Sequence, residues 1–135
     1  MATFNKFQQF IEEVYSKSHD FGSDTIEVAL TNVLPVNTNT VLADITEIAY
    51  TNISARVLTL SSSGQTAGVY KAIFDDLVLT ATGAVATFRY VVIFNQTSTG
   101  DMLIGWYDYG SAVTMANGET FTVDSSQVNG ILQDT

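Results

Sequence analysis

The stretch Gly100-Asp-Met-Leu-Ile-Gly-Trp-Tyr-Asp-Tyr-Gly110, followed by Ser111-Ala-Val-Thr-Met-Ala-Asn-Gly-Glu-Thr-Phe-Thr-Val-Asp124, sets the fold class. Its first half reads as a strand carrying an aromatic cluster. Side chains alternate across a strand, so Trp106 falls on one face and Tyr107 with Tyr109 on the other. Asp101 and Asp108 bracket that strand as its expected ends. The second half predicts a hairpin folded about Asn117-Gly118, because Asn-Gly flanked by Val113/Met115 and Phe121/Val123 suits a type I′ turn, whose two central residues both need φ > 0.

Outward from this stretch, strand signals recur at short intervals. Ile26, Val28 and Leu30 alternate with Thr25, Glu27, Ala29 and Thr31, the period-two pattern of a half-buried strand. Further strands are expected over 53–60, 69–74, 77–81, 87–95, 102–107, 113–115 and 120–123. Ser61-Ser-Ser-Gly64, Asp75-Asp76, Gly83, Asn95–Gly100, Gly110 and Asn117-Gly118 supply turn chemistry between them. About eight short strands without a βαβ rhythm predict a mainly β protein, an antiparallel β-sandwich or barrel with one N-terminal amphipathic helix. No repeat or linker divides residues 1–135, which read as a single domain: a helix over 4–18, then a β-rich part over 24–132.

The helix expectation rests on Phe4, Phe7, Phe10, Ile11, Val14 and Tyr15, which share one arc of about 140° at 100° per residue. Polar residues fill the other side, Thr3 is positioned to cap the N-terminus, and Gly22 is the expected stop signal. The stripe suits core packing, or docking on a partner. Between strand and strand, Asn32-Val-Leu-Pro35-Val-Asn-Thr-Asn-Thr40 and the following residues to Ile48 predict a long excursion across the surface, a feature that tends to be functional or interface-forming.

Only 14% of residues are charged while 46% are apolar, and mean hydropathy is +0.19. Polar cover must come from uncharged residues, with Thr alone occurring 18 times. Some apolar surface is left over for neighbours to bury. The net charge of −9 comes from scattered acids and excludes nucleic acid, since phosphates would repel the chain and no basic stripe offsets this. An anionic membrane surface is excluded on the same ground. Cysteine is absent, so thiol and disulfide chemistry are too. The first ten residues lack the apolar core of a signal peptide, and Val91-Val-Ile-Phe94 is too short to span a bilayer. Synthesis and folding in a cytoplasm are expected.

Candidate chemistry is sparse. His19, the single imidazole, falls at the expected helix end, where a cationic ring suits the dipole. A triad would need it oriented by a carboxylate and aimed at a hydroxyl, and no nucleophile elbow exists, so a helix-end or surface role is expected. Asp75-Asp76, Asp101, Asp108, Asp124, Asp44 and Glu47 are candidates for a glycosidase pair, but a turn accounts for Asp75-Asp76 and strand ends for Asp101 and Asp108. Neither Asp-x-Asp nor EF-hand spacing points to calcium. The expectation is a protein that is not an enzyme and holds no cofactor or metal. Exposed Trp106, Tyr107 and Tyr109 would suit a sugar-binding platform; the alternative is that Trp106 packs inside.

Several stretches taken together are similar to a group of small bacteriophage virion proteins, some of them called head decoration proteins. These are Ala2-Thr-Phe-Asn-Lys-Phe7, His19-Asp-Phe-Gly-Ser-Asp24 leading into Ile26-Glu-Val-Ala-Leu-Thr-Asn32, Pro35, and Asn39-Thr-Val-Leu-Ala-Asp-Ile-Thr-Glu-Ile48. Leu103-Ile-Gly-Trp-Tyr-Asp-Tyr-Gly110, Asn117-Gly-Glu-Thr-Phe-Thr-Val123 and Asn129-Gly-Ile131 complete the match. The resemblance implies a capsid decoration (cement) protein on the outside of a phage head. Its partners would be the major capsid protein and itself, as a homotrimer at local three-fold positions. A tail or neck component is the alternative within the virion, and a carbohydrate-binding β-sandwich module the alternative outside it. No catalytic residue comes with the resemblance. Partner contacts are expected from Phe4, Phe7 and Ile11 of the aromatic stripe, Val33, Leu34, Pro35 and Val36 of the long excursion, and Trp106, Tyr107 and Tyr109.

Overall fold

The computed structural model describes residues 3–124 and 132–134; Ala2 and Asn129-Gly-Ile131 lie outside them. The protein is mainly β and antiparallel, as the strand periodicity predicts. The described residues form nine strands: β1 (Thr3–Lys6), β2 (Ile26–Thr31), β3 (Leu60–Thr66), β4 (Val69–Phe74), β5 (Leu77–Thr80), β6 (Val85–Asn95), β7 (Met102–Met115), β8 (Thr120–Val123) and β9 (Leu132–Asp134). One α-helix, α1 (Gln9–Tyr15), follows β1, and a 3₁₀ turn spans Leu42–Asp44. The central sheet has the order β1-β7-β6-β2, with smaller sheets β3-β4-β9 and β5-β8.

Period-two alternation on β2, β6 and β7 sorts their side chains between two cores. Val28, Leu30, Phe88, Val91, Ile93, Ile104 and Tyr107 meet Ala72, Phe74, Leu79 and Val123 of the smaller sheets in the larger core. Ala29, Tyr90, Val92, Phe94, Leu103 and Trp106 form a second core on the opposite face, closed by Phe7 and by Leu42 and Ile45 of the long excursion. Covering both faces explains why Val91-Val-Ile-Phe94 is apolar without interruption. The excursion over 32–48 is therefore a lid on the central sheet, pinned by Leu103 N–H to Thr40 C=O (3.0 Å) and Leu42 N–H to Asp101 C=O (3.0 Å).

The helix is shorter than the aromatic stripe predicts. Residues 3–6 form β1, paired with β7 through Phe4↔Tyr107 and Asn5↔Trp106, and Phe7 N–H extends the ladder to Ile104 C=O at 3.1 Å. The open edge of β7 offers backbone partners that a four-residue extension of the helix could not match, and a sheet edge is left uncovered only at a cost. Gly105 makes the close approach possible: a Cβ there would lie 2.5 Å from Phe4 Cζ and 2.6 Å from the Asn5 carbonyl. The helix also stops before Gly22. Lys17 takes φ +62° and Ser18 N–H reaches back to Glu13 C=O at 2.9 Å, a left-handed termination of the Schellman kind.

Three turn expectations are corrected. Ser61–Gly64 lies inside β3, and the hairpin turns at Ala67-Gly68, where both φ angles are positive (52° and 82°). β7 runs without a break through Asp108 and Gly110 to Met115, and of the strand expected over 53–60 there are isolated bridges at Ile53 and Val57 and the first residue of β3, Leu60. Asn117-Gly118 does turn the chain, with Glu119 N–H on Ala116 C=O at 3.0 Å. Only Gly118 has positive φ (86°), however, the type II pattern. The strand that follows pairs with β5 instead of folding back on β7. The turn thus carries the chain from the central sheet to a smaller one.

Candidate functional site

The residues expected at a partner interface separate into buried and exposed sets. Phe7, Trp106 and Tyr107 are core residues, at 1%, 7% and 6% exposure, and Pro35 is buried. Phe7 and Trp106 pack ring to ring at 4.7 Å. Tyr107 contacts Phe4 at 5.0 Å, and Tyr109, half-buried, meets Phe121 edge-on at 4.9 Å. These tyrosines resist ionisation because burial disfavours the phenolate; that of Tyr107 is pushed up to about 12. Packing thus claims Trp106 on one face of the aromatic strand and Tyr107 on the other.

Val33 (55%), Leu34 (60%) and Val36 (55%) stand exposed on the excursion, with Ile11 exposed on α1. Their loop is held in place. Val33 N–H bonds Thr31 Oγ1 (3.0 Å), Thr31 Oγ1–H bonds Thr46 C=O (2.5 Å), and Val36 N–H bonds Asn39 Oδ1 (2.8 Å). Gln8 N–H to Asn37 C=O (2.9 Å) ties the loop to the start of α1. Leu34, Pro35 and Val36 line one shallow depression with Phe4, Asn5, Lys6, Asn37 and an edge of Trp106. Five of the ten expected interface residues thus converge on one spot, brought there by β1 pairing beside Trp106. Val33, Leu34 and Val36 are thus apolar side chains held exposed on a hydrogen-bonded loop.

A second cluster was missed in part from sequence. The His19 side chain is fully buried rather than on the surface. It stacks on Phe21 and meets the Phe10 ring at a tilt. Asn95 explains the arrangement: its Nδ2 donates to His19 Nδ1 (2.9 Å) and to Asp24 Oδ2 (2.7 Å), while its Oδ1 accepts from the Thr97 and Ser98 N–H groups. Accepting at Nδ1 leaves the imidazole proton on Nε2, which lies 3.7 Å from Glu13 Oε1, too far for a hydrogen bond. Burial, then the Glu12 charge, push the Glu13 carboxyl up to about 7. Burial lowers the His19 imidazole, offset in part by Asp24. The only sequence signal for this pair was the i to i+6 spacing around a helix end, which reads equally well as surface.

The remaining carboxylates have structural partners or open positions. Asp108 grips Arg89 with both oxygens (3.0 and 3.3 Å), Asp44 accepts from the Thr40 and Val41 N–H groups, and Glu47 accepts from Tyr50 Oη at 2.5 Å. Asp75, Asp76 and Asp124 are exposed. Among the described residues no group of three or more His, Cys, Asp or Glu side chains is placed to hold a metal ion, and no helix is long and apolar enough to cross a membrane. No protein-family model, curated protein or solved structure matches this chain.

Proposed function

We propose that the protein is a non-enzymatic virion subunit, a decoration protein that seats on the outside of a phage head through the Val33–Val36 loop. The observation that carries this reading is the set of exposed apolar side chains, Val33, Leu34 and Val36, held on a hydrogen-bonded loop beside Phe4. The resemblance of the sequence to small virion proteins supplies the partner, the major capsid protein, and the homotrimer. A low charged fraction suits a subunit whose surface is largely buried by neighbours, and several weak sites acting together give a trimer more affinity than one site alone. Tail or neck placement is the competing outcome.

Cryo-electron microscopy of the virion, with mass spectrometry of its copy number, tests the reading. Hundreds of copies, as trimers at local three-fold positions with the 33–36 loop against the shell, are expected. Density at the tail alone, or a dozen copies or fewer, would replace it with the tail or neck reading.

A further inference from the structure

A deeper cleft lies on another side of the molecule, between α1, the 17–22 segment and the β3–β4 hairpin. It is an open cleft of about 740 Å³ lined by Phe10, Val14, Phe21 and Tyr70, with the exposed Ile11 and Tyr15 at its mouth and the buried His19 beneath. That volume is in the range of small-molecule sites, about 300–1,000 Å³. Lys6 and Lys17 border the same cleft. They are two of only five basic residues in a chain of net charge −9. Neither ammonium forms an ion pair with a described residue, whereas Arg56 and Arg89 are matched by Glu27 and Asp108. Among the described residues that line the cleft, the one carboxylate is Asp20, which accepts from Gly22 N–H (3.0 Å) and Ser23 Oγ–H (2.9 Å). Among the described residues the rim thus carries two lysines against one carboxylate, a net positive border to an apolar cleft on an acidic protein, which favours an anionic head on an apolar ligand.

We propose that this cleft binds an amphipathic carboxylate, an apolar chain ending in a single anionic head, with the chain among the aromatic and aliphatic walls and the head toward Lys6 and Lys17. The cleft is distinct from the Val33–Val36 surface, although Lys6 borders both, so its test is independent of where the protein sits in a virion.

Dodecanoate below its micelle concentration is the probe, followed by isothermal calorimetry and by amide chemical shifts. Saturable one-to-one binding is expected, with shifts confined to Lys6 and its neighbours, residues 10–22 and the neighbourhood of Ser63 and Tyr70. Dodecyltrimethylammonium, of the same chain length and opposite charge, should bind at least tenfold more weakly, and acetate should not bind. The double variant Lys6→Gln/Lys17→Gln should weaken dodecanoate binding about three- to tenfold, the range for two partly exposed ion pairs. Ile11→Asp, at an exposed wall position, should weaken it at least tenfold, with thermal unfolding of both variants unchanged. Absence of saturable dodecanoate binding, equal binding of the cationic amphiphile, or full affinity in the lysine variant would each overturn the proposal.

Discussion

At the scale of single residues, Glu13 and His19 carry opposite pH dependences. The Glu13 carboxyl, raised from 4.5 to about 7, holds a proton in the folded state that the unfolded chain releases. Its contribution is present below 4.5 and lost as pH rises to 7. His19, lowered from 6.5, refuses a proton that the unfolded chain accepts, so its contribution is lost as pH falls below 6.5. The two oppose each other between 4.5 and 6.5, and Glu13 acts alone above. Denaturant unfolding of the wild type should show stability falling from pH 6.5 to 7.5. Glu13→Gln should instead rise in stability up to 6.5 and then stay level, and exceed the wild type at pH 8 by about 1–2 kcal/mol. A parallel pair of profiles would exclude Glu13 as the titrating group. Gly105 gives a steric prediction. Because its Cβ would strike the Asn5 carbonyl as well as the Phe4 ring, Gly105→Ala should destabilise by about 1–3 kcal/mol and raise hydrogen exchange at residues 3–6.

At the scale of elements, the β3–β4 hairpin turns through Ala67-Gly68 with positive φ at both positions. The Ala67 side chain gives that conformation a steric penalty of about 1–2 kcal/mol. Ala67→Gly or Ala67→Asn should therefore stabilise the protein by about 0.5–1 kcal/mol, read as a rise in thermal midpoint; a fall would mean that the Ala67 methyl makes a contact worth more than its strain. Phe7 links β1 to α1 and closes the second core against Trp106. Phe7→Ala should cost about 3–5 kcal/mol, with a change in the Trp106 emission as water reaches the indole.

At the scale of the whole molecule, the Val33–Val36 patch is separable from the fold. Leu34→Asp/Val36→Asp changes side chains that are already more than half exposed, so thermal stability should stay within about 0.5 kcal/mol; under the proposed decoration role, virion occupancy should fall at least tenfold. Normal occupancy in the variant would remove the loop from the docking surface. In the proposed trimer, subunit contacts built on apolar groups in a chain of net charge −9 should persist at high salt, because screening weakens charge pairs and relieves repulsion between acidic surfaces; if a trimer forms and 1 M salt dissociates it in analytical ultracentrifugation, ion pairs hold it instead.

Local pattern alone determined the class of fold. Alternation along 26–31 reports a strand, although the structure buries β2 and most of β6 on both faces and not on one, and the placement of Trp106 opposite Tyr107 follows from the pleat. The apolar character of Val33, Leu34 and Val36 was equally visible, and so was their setting in a loop. What only the tertiary structure decided were the contests between local preference and long-range pairing. Phe4 and Phe7 fit a helical stripe, yet the open edge of β7 and the missing side chain of Gly105 draw residues 3–6 into a strand. Asn117-Gly118 has the chemistry of a hairpin, yet β8 finds its partner in β5, and Ala67-Gly68 makes the tight turn instead. His19 could sit on any surface until Asn95, 76 positions away, fixes it inside. Turn and helix signals act over a few residues, whereas strand edges and buried polar partners are supplied from anywhere in the chain, and burial of backbone and side-chain polar groups makes those distant partners the stronger term.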